Sequence, residues 1–387
     1  MLERFYVRLR SPGTHVKEDA MQPRFLALAS GVIALVAAIS LTAQTPAGTP
    51  ATTHEKLYIS LENTDDLAVV DLKSFTLAKT LKVGMHPHGQ ASPASQDKLY
   101  VAAEIGGTVT LVDTIRDEVV KTFDVGFGVE PQNGAITPDG RFLYQPSYAG
   151  YWQVFDTQKE QIVEYIHTLG IGHNTVMAPD GRFAYLLPIA GGAGHFARPS
   201  LGLPRTQPKE VTVVDAKAHK VVGTIDVGSG PRPGTISPDG TRLYMNVDDL
   251  LGFLVIDTAA RKVIARAVYT LTPDEEAVRS RSHGIAVANN GREVWSNDVV
   301  HNLTFVFDVT VNPPRQIARF AVGRQPYWIM ASKDSRTIYV TCPASDELIA
   351  FDVAAKKEKG RIQFPKGSRP TRMLTVAAPA APARTSR

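Results

Sequence analysis

Cysteine is all but missing from this chain: Cys342 is the only one in 387 residues. That excludes an intramolecular disulfide and any cysteine-built metal cluster, and leaves a buried structural thiol as the plain expectation. Charge of one sign is also lacking, with 42 lysines and arginines against 38 acidic residues. No basic stripe and no alternation of arginine with aromatics emerges, so nucleic acid is excluded as a partner. Helical periodicity is absent too, which removes bundles and doubly wound folds. No Cys-x-x-Cys-His haem attachment, Ser-His-Asp order or paired-carboxylate pattern rises above chance.

One long apolar run exists, Phe25–Leu41, preceded by Arg24 and followed by small residues at Ala43 and Ala47. A positive start, an apolar stretch and small residues define a secretory signal over residues 1–43, cleaved between about Ala43 and Ala47. A membrane span needs about 20 apolar residues, so no stable span is expected after processing. Met21 would itself open a well-formed signal, which places the true start near it. Residues 44–54 form a linker, and the protein is expected in a bacterial periplasm or outside the cell.

What the chain does have is a repeat. Seven apolar runs end in aspartate, at Asp71, Asp113, Asp156, Asp215, Asp257, Asp308 and Asp352, spaced 42, 43, 59, 42, 51 and 44 residues apart. A period in the low forties with insertions marks a radial or solenoid array. The stretch Phe127–Gly170 holds four short strands, Gly134–Thr137, Arg141–Tyr144, Trp152–Phe155 and Ile162–His167, punctuated by turns such as Pro138-Asp139-Gly140. Proline presets φ there, aspartate caps its own turn and glycine takes positive φ. Four antiparallel strands per repeat predict an all-β fold, a seven-bladed β-propeller over residues 55–377. The front supplies three strands, Leu57–Ser60, Leu67–Val70 and Ala78–Val83. Arg372–Val376 from the back completes that blade and closes the ring, leaving 378–387 as a disordered tail. The seven aspartates cap the turn after the third strand.

The units Lys98-Leu99-Tyr100-Val101, Thr337-Ile338-Tyr339-Val340-Thr341 and Val227-Gly228…Ser237-Pro238-Asp239-Gly240 resemble the YVTN-type β-propeller repeat family. The resemblance covers roughly residues 55–377 and implies an exported bacterial seven-bladed propeller. That family includes envelope proteins of unknown role. The same architecture serves lactonases, lyases and the haem domain of a nitrite reductase, so fold alone does not assign a function.

Aligning the units on the second-strand aromatics Tyr100, Tyr144, Tyr185, Tyr244, Trp295 and Tyr339 exposes a column twelve residues upstream: His88, Gln132, His173, Arg232, His283 and Tyr327. Each ends the loop into a blade's innermost strand, at the mouth of the central channel. Every occupant can hydrogen-bond. Three are histidines in a chain with only ten, more than composition supplies. Three imidazoles around one axis suit a divalent transition metal with an open position, so His88, His173 and His283 are the metal candidates. His86 adds a chelating His-Pro-His. The loops between middle strands contribute Glu104, Tyr148, Asp248, Asp249, Asp298, His301 and Asp346. The glycine-rich insertion Ile189–Lys209, with His195 and Arg198, reads equally as a lid over the mouth and as a plain surface insertion. A second insertion, Ala267–Ser282, carries Arg279-Ser280-Arg281 into His283.

Three functions stay open. The first is a monomeric exported propeller binding a small molecule, cofactor or partner envelope protein through His88, Gln132, His173, Arg232, His283, Tyr327, His195 and His301. The second is a metal-dependent periplasmic enzyme, a lyase, lactonase or oxidoreductase. The third is a structural or adhesive envelope protein.

Overall fold

The structure, a computed structural model, describes residues 53–190 and 207–379. The signal, start and most of the linker, His195, Arg198 and the tail from residue 380 lie outside the described residues.

Seven four-stranded antiparallel sheets form as expected. Blade 1 runs outward from Pro370–Pro379 through Thr53–Leu61 and Asp66–Asp71 to Thr76–Lys82. The inner strands of blades 2 to 7 are Pro87–Ala91, Ala135–Ile136, Ile171–Met177, Pro231–Ile236, Ser282–Ala288 and Trp328–Ala331. Inner strands are mostly buried, whereas an outer strand such as Gln161–His167 alternates exposed and half-buried residues. All seven repeat aspartates accept backbone N–H bonds of 2.7–3.1 Å from residues two or three places on, such as Ser74, Lys217 and Ala355. A short polar side chain that satisfies its own turn is local chemistry, which is why the pattern repeats so visibly.

Packing is between blades. Tyr185 and Leu187 of blade 4 bury against Leu243, Met245 and Leu254 of blade 5, each apolar side chain contributing about 1.5–3 kcal/mol. The second-strand aromatics also reach forward: the Tyr144 hydroxyl donates to Ala216 O at 3.1 Å, and Tyr58 to Thr114 O at 3.3 Å.

Closure occurs in blade 1, where Leu57 pairs with Thr375, Tyr58 with Leu374 and Ile59 with Met373. The ladder runs further than the expected limits of 55 and 377, because Thr53 pairs with Pro379 and His54 with Ala378. In blade 3 the inner strand shrinks from the expected Gly134–Thr137 to Ala135–Ile136, with an isolated bridge from Pro131 to Ser147. A four-residue helix, Pro273–Glu276, stands in the second insertion, capped by Thr272 and Glu275 in a reciprocal capping box.

Candidate functional site

The column residues were expected at loop ends. Four of them lie instead inside the inner strands, each within a register shift: His88 between Pro87 and Gln90, His173 between Gly172 and Asn174, Arg232 between Pro231 and Gly234, His283 between Ser282 and Ile285. A bulge inserts a residue and turns its side chain out of the alternating pattern. Proline, which has no N–H for the ladder, precedes His88, Gln132, Arg232 and Tyr327. Before three of those prolines the backbone is left-handed, at His86, Glu130 and Gln325. Gly284 has the opposite task of leaving room, since a Cβ there would lie 2.6 Å from Tyr327 O.

Blade 1 has the same device, with a shift between Pro370 and Met373 that holds Thr371 and Arg372. Arg372 is fully buried, and its guanidinium spans the ring. Its Nε lies 3.2 Å from His88 Nε2 in blade 2, its Nη2 lies 3.3 Å from His173 Nε2 in blade 4, and the group stacks 3.8 Å from the Trp328 ring centroid in blade 7. His173 and His283 meet edge to face with centroids 5.9 Å apart, and His283 stacks on Tyr327 at 4.0 Å. Below this cluster the inner strands of all seven blades line a channel cavity of about 340 Å³.

Hydrogen-bond partners set the tautomers. Arg372 is donor-only, so His88 Nε2 accepts, and His88 Nδ1–H donates to Glu62 Oε1 at 2.7 Å. His283 Nδ1–H donates to Tyr327 O at 3.0 Å, which leaves a lone pair on Nε2. Burial first, then the Arg372 charge, holds His173 and His283 well below the usual imidazole range, so both are neutral. Among the described residues three buried polar atoms of this cluster have no partner: Arg372 Nη1, His173 Nδ1 and His283 Nε2.

Around the cluster stands a shell of paired charges. Glu62 also accepts from Arg369 Nε at 2.8 Å. Burial alone would raise its carboxyl, but the His88 hydrogen bond and the neighbouring His86 and Arg369 outweigh it and bring Glu62 down to about 2. His86 Nδ1 lies 3.1 Å from Glu104, whose other oxygen accepts from Gln132 Nε2 at 2.7 Å. Arg232 pairs with Asp248. His301 binds Asp298 at 2.7 Å within its own blade, and none of its hydrogen bonds reaches the axial cluster.

His88, His173 and His283, expected as metal ligands, are not arranged as a shared donor set in this structure. Among the described residues no group of three or more His, Cys, Asp or Glu is arranged to hold a metal ion. The reason is Arg372, whose N–H donors occupy the Nε2 lone pairs of His88 and His173 and whose positive charge opposes a second cation. Arg372, Arg369 and Glu62 were all missed at the sequence level. A signal for the blade 1 segment was present: Gly367-Ser368-Arg369-Pro370-Thr371, which ends one residue before Arg372, repeats the Gly-x-x-Pro-x of Gly84–His88, Gly128–Gln132, Gly228–Arg232 and Gly323–Tyr327, whereas nothing pointed to Glu62.

No family model matches the chain, and no curated protein matches it. Solved structures do. Hydrazine synthase of Kuenenia stuttgartiensis is 18% identical, with 81% of this chain and 99% of that one covered at a TM-score of 0.66. A functionally unknown protein from Desulfotomaculum acetoxidans is 12% identical over 84% of this chain and 99% of its own, at 0.67. The dihydro-haem d1 dehydrogenase NirN, solved in complex with DHE, is 14% identical over 81% of this chain, at 0.58; the match takes in 64% of its length. These likenesses are of fold. They place the chain among seven-bladed β-propellers.

Proposed function

We propose that this protein is an exported, YVTN-like propeller that binds a small carboxylate at its channel mouth, with Arg372 as the principal contact. One observation carries the proposal: a fully buried guanidinium with no carboxylate in ion-pair contact among the described residues and with Nη1 unpartnered. Burying an unpaired charge is costly, and buried charges are ordinarily paired. An incoming carboxylate supplies the missing partner through charge-assisted hydrogen bonds. His173 Nδ1–H offers a second donor, and His283 Nε2 an acceptor for a ligand hydroxyl. Two of the solved relatives are named as enzymes, and one was solved with a bound small molecule, so small-molecule chemistry is compatible with this scaffold. Export rests on the pattern from Arg24 to Ala47, and N-terminal sequencing of secreted protein should find a start between Ala43 and Gly48.

The test is calorimetric titration of mature protein with acetate, lactate and benzoate. Arg372→Met should weaken whichever binds by about a hundredfold, about 2.7 kcal/mol. Its melting temperature should hold or rise, because replacing a buried ion by an apolar side chain is often neutral or stabilising. Unchanged affinity in the variant, or no carboxylate bound by the parent protein, refutes the assignment.

A further inference from the structure

Beside the axial cluster, at blades 4 to 6, lies a second cavity of about 670 Å³. Lys209, Arg232, Arg279 and Arg281 line it, together with Asp248 and Asp249. Both acids are engaged: Asp248 pairs with Arg232, and Asp249 accepts from Ser229 Oγ at 2.7 Å. Among the described residues Lys209, Arg279 and Arg281 have no acidic partner. The lining thus carries four cations against two carboxylates, a net charge of +2, with Lys209, Arg279 and Arg281 exposed on it, and the positive potential of such a concavity draws an anion in.

Arg232 links the cavity to the axial cluster. Arg232 occupies the mouth column in blade 5, between His173 of blade 4 and His283 of blade 6. Its charge acts on both imidazoles, adding to the depression of their basicity. Arg281 is two residues before His283 in the chain, and the segment between them is held in place. Ser282 Oγ donates to Leu250 O at 3.0 Å and accepts from Gly252 N at 2.7 Å, and Arg281 O accepts from Val299 N at 3.1 Å.

We infer that this cavity receives a second anionic group of the axial ligand, so that the ligand is an elongated dianion with one carboxylate on Arg372 and a distal carboxylate or phosphate among Lys209, Arg279 and Arg281. The inference rests on the axial assignment and adds the size and charge of the ligand to it. Tethering two anionic groups raises affinity only when the spacer matches the distance between the sites, so one chain length should bind best.

Calorimetry on the mature protein with acetate, succinate, glutarate, adipate, suberate and 3-phosphoglycerate separates the two claims. The parent protein should bind its best dianion at least about tenfold more tightly than acetate, and added salt should narrow the gap. The double variant Arg279→Ala/Arg281→Ala should abolish the advantage of dianion over monoanion, while Arg279→Lys/Arg281→Lys should retain most of it. Arg372→Met should weaken monoanion and dianion alike. An advantage that survives in the alanine variant, or a parent protein that binds no dianion better than acetate, overturns the second subsite and leaves the axial one standing. Monoanion binding that survives Arg372→Met overturns the axial assignment instead.

Discussion

Blade 2 is drawn from one stretch of chain, Pro87 to Asp124, whereas blade 1 takes its inner strand from Pro370–Pro379 and its other three from Thr53–Lys82. Their local chemistry matches. Both show a bulge in the inner strand, an aspartate after the third strand and an exposed outer strand. They differ in what holds them. Blade 1 is tied to blade 2 by Lys56, whose Nζ reaches Thr114 O at 2.8 Å and Asp117 at 2.7 Å, and by the Tyr58 hydroxyl on the same carboxylate. On its other side Thr341 Oγ1 donates to Thr371 O at 2.6 Å and Thr375 Oγ1 to Ala331 O at 2.8 Å. The two-ended blade is also the one that brings Glu62, Arg369 and Arg372 to the mouth. Ring closure and site assembly are therefore one event.

The comparison breaks most severely if the closing strand is removed. Truncation after Lys366 leaves Thr53–Leu61 with an unpaired edge. It should cost most of a typical stability of about 5–15 kcal/mol, seen as a collapsed melting temperature and aggregation in light scattering. A monodisperse, equally stable truncated protein would mean that the other six blades do not depend on closure. Next in size is Asp117→Ala, which strands the buried Lys56 ammonium and should cost about 3–5 kcal/mol in urea unfolding. Adding Lys56→Met should recover much of it, and failure to recover would show that the pair is not what ties the two blades.

The smallest effect concerns acid. The Glu62 carboxyl lies at about 2 in the folded protein against a reference of 4.5. Its stabilisation, about 3 kcal/mol, is thus complete above pH 4.5 and lost as pH falls toward 2. His173 and His283 are neutral when folded, but the unfolded chain takes up protons below 6.5, so they remove stability from that pH downward. Glu62→Gln should therefore flatten only the lower part of the acid limb in urea midpoints measured from about pH 7 to about pH 3. A limb unchanged below pH 4.5 would show that Glu62 does not link closure to pH.

Much of the fold was readable before any coordinates. The turn aspartates, the Ser/Thr-Pro-Asp-Gly corners and the second-strand aromatics act over a few residues, so each repeat displays them whole. The mouth column was readable as a set of positions, since the same Pro-x step precedes the bulge in most blades. Its chemistry was not. A histidine triad suggested a metal because Arg372 belongs to the one blade that contiguous alignment leaves incomplete, 284 residues from His88 and 199 from His173. Nor does spacing show that His301 is held by Asp298 in its own blade.

The sequence by itself determined the number of blades, the place where the ring closes and most of the positions that face the axis, because hydrogen bonds within turns and the alternation along strands are local. Only the tertiary structure decided which of those polar side chains lose water together and which of them carry charge. Burial and Coulomb interactions depend on distances between residues of different blades, and those distances exist only once Arg372 has been carried across the closed ring.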